Sequence, residues 1–228
     1  MAELKLHLGC GGKYLEGYVN IDFPPSEHTI IIPKADIFKD IRKLEYQENS
    51  VDEIRNHHLF EHFSRQEALK LLLQWRRWLK LGGLLVIETP DFEECAKLFI
   101  TTNDIEKQFK LARHIFGSHE AEWALHKDFW SKSKFKFVLN KLGFSVSEIQ
   151  QNRSYYRKDN SFIAKVVGKI APESIKNLTG DILPNIIVRA EKDNRVIDEQ
   201  KEIVSILLMS LVGGQKGLLD VWLKDIGY

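Results

Sequence analysis

Five short apolar runs in this sequence each end on residues suited to holding a small polar ligand. Gly9-Cys10-Gly11-Gly12 follows Lys5–Leu8, and Asp22 closes Tyr18–Asp22. Asp36 and Asp40 flank a third run, Asn56-His57-His58 follow Val51–Arg55, and Thr89-Pro90-Asp91 follow Leu84–Glu88. Glycines let a backbone approach a ligand closely, and a carboxylate accepts from paired ribose hydroxyls, so the set reads as a nucleoside-type site. Dinucleotide binding fits poorly. Tyr14 stands where the fingerprint wants a third small residue, and Asp22 follows Gly9 after 13 positions instead of about 20. A phosphate-binding P-loop is excluded, because Gly12 is followed by Lys13-Tyr14 and not by Lys-Ser or Lys-Thr.

Other residues offer rival chemistry. His58-Leu59-Phe60-Glu61-His62 matches H-x-x-E-H, and on a helix His58 and His62 would share a face with Glu61 as base, which is the alternative of a zinc-dependent hydrolase. Lying inside a longer pattern of another kind, this run is read here as not metal-binding, and no metal ligands are assigned. Cys10 sits in a glycine turn, where a small side chain is wanted for space more than for nucleophilicity. Of the eight histidines, His57 and His62 follow the fourth run, while His114, His119 and His126 lie between the fifth and sixth. The stretch Phe116–Lys127 carries a glycine, two histidines, two acids and a tryptophan, an odd composition for packing alone. His126, then His119, then His57 are the acid–base candidates.

The elements that must position these groups alternate. Apolar runs near 5–8, 18–22, 30–38, 51–55, 84–88, 144–149 and 185–191 read as strands. Ser64 with Glu67 forms a capping box ahead of a helix whose apolar face is Ala68, Leu71, Leu72, Trp75 and Leu79, ended by Gly82-Gly83. Phe92–Phe99, Asp104–Phe116 and Ser131–Leu142 read as further helices. Strand then helix, repeated, predicts an α/β fold: a doubly wound, seven-stranded, mostly parallel sheet. Arg153-Ser154-Tyr155-Tyr156-Arg157-Lys158 reads as a basic, aromatic loop that could grip an anionic or sugar acceptor, with a weak helix after it. Arg76, Arg77 and Lys80 read as a solvated face.

With 228 residues and 43% hydrophobic composition the chain can build one substantial core. The expected division is a ligand-binding domain over 1–195 and a helical extension over 196–228. Ile203, Val204, Ile206, Leu207, Leu208, Leu211 and Val212 are too apolar for solvent, so the extension should cover the domain and its ligand site or form a homodimer contact. A net charge of +1 gives no reason to expect nucleic acid or a membrane surface as partner. Two cysteines outside any metal-type pair, with no leader or membrane-spanning run, point to a reducing, cytoplasmic setting.

Three stretches together carry a family resemblance. Leu6–Gly12, Asp40–Ile54, and Leu59-Phe60-Glu61-His62 with Trp75–Leu85 resemble, in order and spacing, the type-11 domain of class I S-adenosylmethionine-dependent methyltransferases. Within that class the chain is similar to predicted methyltransferases associated with polysaccharide biosynthesis. The resemblance implies a Rossmann-like methyltransferase fold, S-adenosylmethionine as cofactor with S-adenosylhomocysteine as product, and a saccharide or other small-molecule acceptor. It also implies roles. Leu8, Gly9, Cys10 and Gly11 would lie against the amino-acid end of the cofactor, and Asp22 would hold the ribose. Asp40 would accept from adenine with Ile41 packed on the ring, and Asn56 and His57 would form the floor below the methyl group. Two departures stand out. Only residues 9–17 join the first two strands, leaving room for about one helical turn, and no helix precedes the first strand as a cover. A binding protein that keeps the fold without turnover is the third reading.

Overall fold

Leu6 and Leu8 are fully buried on one face of the first strand, and His7 is buried on the other. A strand buried on both faces belongs in the middle of a sheet, and it is there. The structure is a computed structural model that describes residues 3–27, 32–157 and 180–228. Its strands are β1 (Lys5–Leu8), β2 (Val19–Asp22), β3 (Ile37–Phe38), β4 (Val51–His57), β5 (Leu79–Pro90), β6 (Phe144–Arg157) and β7 (Gly180–Lys192). They form one seven-stranded sheet in the order β3-β2-β1-β4-β5-β7-β6. The first five pair in parallel, and β7 runs antiparallel to both β5 and β6. The order reverses between β1 and β4, and ligands of such sheets bind outside the strand ends at that reversal.

The sheet is flanked by α1 (Arg65–Trp78), α2 (Phe92–Thr101), α3 (Ile105–Phe116) and α4 (Lys132–Lys141). The extension adds α5 (Glu199–Leu208) and α6 (Lys216–Ile226). No described helix is long and apolar enough to cross a membrane. Ser64 and Glu67 form the expected capping box on α1, whose Leu72 and Trp75 are fully buried against Leu6, Ile54 and Leu85. Residues 9–18, all described, form turns without a helix, so the crossover from β1 to β2 is as short as the sequence requires.

Several boundaries differ from expectation, each for a local reason. α1 stops at Trp78, not at Gly82-Gly83, because Asn49 and Ser50 donate backbone N–H groups to the carbonyls of Arg77 and Trp78. The chain then turns directly into β5. The ladder skips from Val51↔Leu79 to Glu53↔Leu84, and Gly82 (φ 75°) takes the excursion. β6 and β7 are about twice as long as predicted, paired from Phe144↔Lys192 to Arg157↔Gly180. Arg153–Arg157, read as loop, therefore continue a strand, and Lys158 lies outside the described residues with most of the weak helix. The third strand reduces to Ile37–Phe38, and Ile30 and Ile31 also lie outside them.

The extension packs on the helices. Ile203, Ile206, Leu207 and Ile226 are buried in the main core with residues of α1 and α4. Arg77 pairs with Glu199, Arg76 donates to the carbonyls of Gly143 and Arg195, and the Arg65 guanidinium lies 5.1 Å from the Trp222 ring centroid. Of the basic residues read as a solvated face, Arg77 thus anchors the tail, Arg76 holds the chain just before it, and Lys80 pairs with Asp52. No residue of 196–228 lines the cavity described below, so the expected cover over the ligand site is corrected to a cover over helices.

Candidate active site

A cavity of about 790 Å³ opens beyond the carboxyl ends of β1, β2 and β4. One wall is the glycine turn. Gly9 and Gly11 hold φ values of 65° and 52°, a region side chains avoid. A Cβ on Gly9 would also stand 2.8 Å from Leu59 Cδ1. The turn is fixed to the next strand: the Gly9 and Cys10 amides donate to the Ile21 carbonyl, and the Gly11 amide donates to Asp22 Oδ2 at 2.6 Å. Asp22 Oδ1 accepts from the Phe23 amide at 2.7 Å, which aims the carboxylate along the cavity wall. The Cys10 thiol donates to the Lys34 carbonyl, and burial, with Asp22 beside it, pushes it up to about 12. It is a space-filling thiol and not a nucleophile.

The opposite wall is built from histidines. Six of the eight, His7, His57, His58, His62, His114 and His126, line this one cavity. His57 Nδ1 lies 2.6 Å from Glu88 Oε2, so the β5 carboxylate orients the β4 imidazole. Burial pushes Glu88 up, but His57 and His58 hold it below the usual carboxylate range. Glu61 lines the cavity too and is almost wholly buried. Burial raises its carboxyl, yet His58, nearest at 3.3 Å, and then His62 and His126 hold it low. Burial lowers His7 and His114, and takes His126 down to about 4.

The segment from Arg113 to Lys127 closes one side. Gly117 (φ 92°) bridges to Leu125, which folds the segment back on itself. The Trp123 indole N–H donates to the Glu27 carbonyl at 2.8 Å, joining the segment to the loop after β2.

The structure gathers some of the expected residues and separates others. Gly9, Cys10, Gly11, Asp22, His57 and His126 all meet at the cavity. Leu8 and Ile41 are buried in the core, so Ile41 does not present a face to a ring in the cavity. Asp40 caps a turn and is held by the Arg42 guanidinium at 2.9 Å; burial raises its carboxyl, but Arg42 keeps it low. Arg42, not Asp40, reaches the cavity wall. Asn56 is fully buried on the α1 face, between Leu8 and Ile87, and not on the cavity floor. His119 is exposed and turned to the Phe116 carbonyl, outside the wall. The H-x-x-E-H run is not a helix. His58 is left-handed (φ 50°), and Phe60–His62 is one 3-10 turn before α1. Sequence reading passed over His7, Arg42 and Arg113; alternation along β1 was the one signal that could have placed His7 opposite Leu6 and Leu8.

Comparison with known proteins bears directly on this site. Residues 6–87 match the family Methyltransf_11, described as a methyltransferase domain. The match runs from β1 into β5 and includes the glycine turn, Asp22, His57 and Glu61. Among solved structures the chain is similar to a provisionally assigned methyltransferase of Bacillus halodurans, at 14% identity over 85% of this chain and 94% of that one, with a TM-score of 0.50. It is also similar to the YcgJ protein of Bacillus subtilis, at 13% identity over the same shares and a TM-score of 0.51. At such identities the likeness establishes the fold. No curated protein matches the chain. The domain supports S-adenosylmethionine as cofactor, and the cavity fits it in part. The left-handed glycine turn leaves room for close backbone approach and Asp22 brings a carboxylate to the cavity wall, while the expected adenine partners, Asp40 and Ile41, are turned away.

Proposed function

We propose that the chain transfers a methyl group from S-adenosylmethionine to a hydroxyl of a saccharide or similar small polar molecule. The observation that carries this reading is one cavity with Gly9, Gly11 and Asp22 on one wall and an oriented histidine, His57, on the other. S-adenosylmethionine, when bound, supplies a methyl group already activated on a sulfonium. The chain's own task is alignment, exclusion of water and removal of a proton. Gly9 and Gly11 leave room for close backbone approach, and Asp22 accepts from hydroxyls. Arg42, Arg113, Glu27, Glu120 and Glu122 give the rest of the lining hydrogen-bonding groups that suit a polyhydroxyl acceptor. A setting in polysaccharide biosynthesis agrees with that choice and rests on the family resemblance.

His57 is assigned as the base in preference to His126. With Nδ1 committed to Glu88, its Nε2 can take the proton, which is the geometry of a carboxylate-oriented general base. His126, taken down to about 4, is a weak proton acceptor. The Gly9–Gly11 turn and Asp22 would hold S-adenosylmethionine, which supplies the methyl group to the acceptor oxygen and keeps the bonding electron pair on its sulfur. The hydroxyl proton passes to His57.

Calorimetric titration with S-adenosylhomocysteine tests the cofactor part. Micromolar binding is expected, weakened about tenfold or more in Asp22→Ala by loss of a charge-assisted hydrogen bond. Absence of binding to folded wild type overturns the reading. On an acceptor found by screening, His57→Gln should lower kcat by roughly 100-fold or more and leave S-adenosylhomocysteine affinity unchanged.

A further inference from the structure

Glu61 is hard to explain as a packing residue. Its side chain is 3% exposed, neither carboxylate oxygen makes a hydrogen bond, and its nearest ionic partner is His58 Nδ1, 3.3 Å from Oε1. A buried carboxylate without hydrogen bonds is strongly unfavourable unless a cation offsets it. The groups around it are imidazoles. His62 Nδ1 lies 3.2 Å from the Leu125 carbonyl oxygen, and His126 Nδ1 lies 3.2 Å from that of Ile115. A ring nitrogen beside a carbonyl oxygen must be the one that carries hydrogen, since two acceptors do not bond. Hydrogen is thereby placed on Nδ1 of each ring, which leaves Nε2 as the nitrogen that binds a metal ion in the neutral imidazole. His126 Nε2 stands 4.0 Å from Glu61 Oε1, and the two rings lie edge to face with centroids 4.7 Å apart.

We propose that Glu61, His62 and His126 bind a divalent transition-metal ion of the zinc or ferrous class at the wall of the cavity. One ligand atom from each lies within 4.8 Å of the other two. Zinc bonds of about 2.0–2.1 Å place tetrahedral ligands about 3.4 Å apart, so a modest contraction completes the site. Two imidazole nitrogens and one carboxylate oxygen are the donor set of catalytic zinc and of ferrous sites with open positions. The backbone carbonyls behind His62 and His126 are the outer partners that metal-bound imidazoles require. His58, 3.3 Å from Glu61, supplies a further outer contact. All three ligands line the cavity, so the open positions face it. This assignment also departs from the H-x-x-E-H pairing in the sequence: His126 replaces His58, and Glu61 is a ligand instead of a base. Use of the ion rests on the methyl-transfer reading. An acceptor hydroxyl bound there would release its proton to His57 more readily.

Untagged protein, stripped with chelator, is titrated with Co(II) by visible absorption and with Zn(II) by calorimetry. One equivalent is expected, with d–d bands of a nitrogen and oxygen ligand shell. Glu61→Gln and His126→Ala should each weaken binding by more than the roughly 10–100-fold that outer-shell changes cost. S-adenosylhomocysteine binding is measured on the same samples. Metal uptake without it upholds the metal site and sinks the methyl-transfer reading. Folded wild type that takes up neither ion, or variants that bind as tightly as wild type, overturn the proposal. Should the variants fail to fold, X-ray absorption of the zinc-loaded wild type decides. A shell containing two imidazoles and a carboxylate upholds it, and any other shell overturns it.

Discussion

The two cysteines show how burial decides what a reactive residue can do. Cys10 borders the cavity and Cys95 packs under α3 with Leu111, and burial, aided by neighbouring acids, pushes both thiols up to about 12. The thiolate is the species that reacts, so neither side chain should be alkylated by iodoacetamide at pH 8 while the chain is folded. Mass spectrometry should find both unmodified in buffer and both carbamidomethylated in denaturant; rapid modification of Cys10 in buffer would show that the glycine turn opens. The linkage follows in sign. A folded value above the ordinary 9.0 means that the unfolded chain ionises first. The contribution of these thiols to stability is intact below pH 9 and declines as pH rises towards 12. Denaturant midpoints that fall over that window in wild type, and fall less in the Cys10→Ala, Cys95→Ala double variant, are the expected result.

Elements built from adjacent residues were legible, and elements joined by distant ones were not. The capping box of α1 and the glycine turn follow from local rules, and both stand as read. Asp40 shows the limit of a motif. The residue type is right, but Arg42, two positions on, takes its carboxylate, and nothing in the motif encodes that choice. The meeting of His62 with His126 joins residues 64 apart, brought together by the fold of 113–127, and nothing in the spacing encodes it. That segment depends on one glycine. At Gly117, with φ 92°, an added Cβ would stand 2.1 Å from the Ala124 carbonyl oxygen, a contact no rotamer can relieve. Gly117→Ala should therefore open the segment locally while leaving the sheet intact. Limited proteolysis should cut within 117–126 in the variant and not in wild type, with little change in far-ultraviolet circular dichroism. Equal resistance in both would show that the Trp123–Glu27 bond holds the segment without the Gly117 turn.

At the scale of the whole molecule, a doubly wound, mostly parallel sheet with its site beyond the strand ends was readable from alternating strands and helices, because that pattern leaves few ways to build the sheet; the strand order came from the structure. The extension was not readable, since an apolar helix announces burial without naming what it is buried against. Four of its side chains, Ile203, Ile206, Leu207 and Ile226, are in the main core. Each fully buried aliphatic side chain contributes about 1.5–3 kcal/mol, so together they supply roughly 6–12 kcal/mol before the ordering entropy of the tail is deducted. Domains are stable by only about 5–15 kcal/mol in total. Loss of the tail would also uncover the α1 and α4 surfaces it packs on, and free Arg77 from Glu199. Deleting 196–228 should thus yield an aggregating or unfolded chain, not a folded one with an open ligand site. Leu207→Ala tests the same point more gently, with an expected loss of about 2–5 kcal/mol in denaturant unfolding. S-adenosylhomocysteine affinity, measured where the variant is folded, should be unchanged, because α5 does not reach the cavity. A variant with wild-type stability and weakened binding would instead make the extension a cover for the ligand.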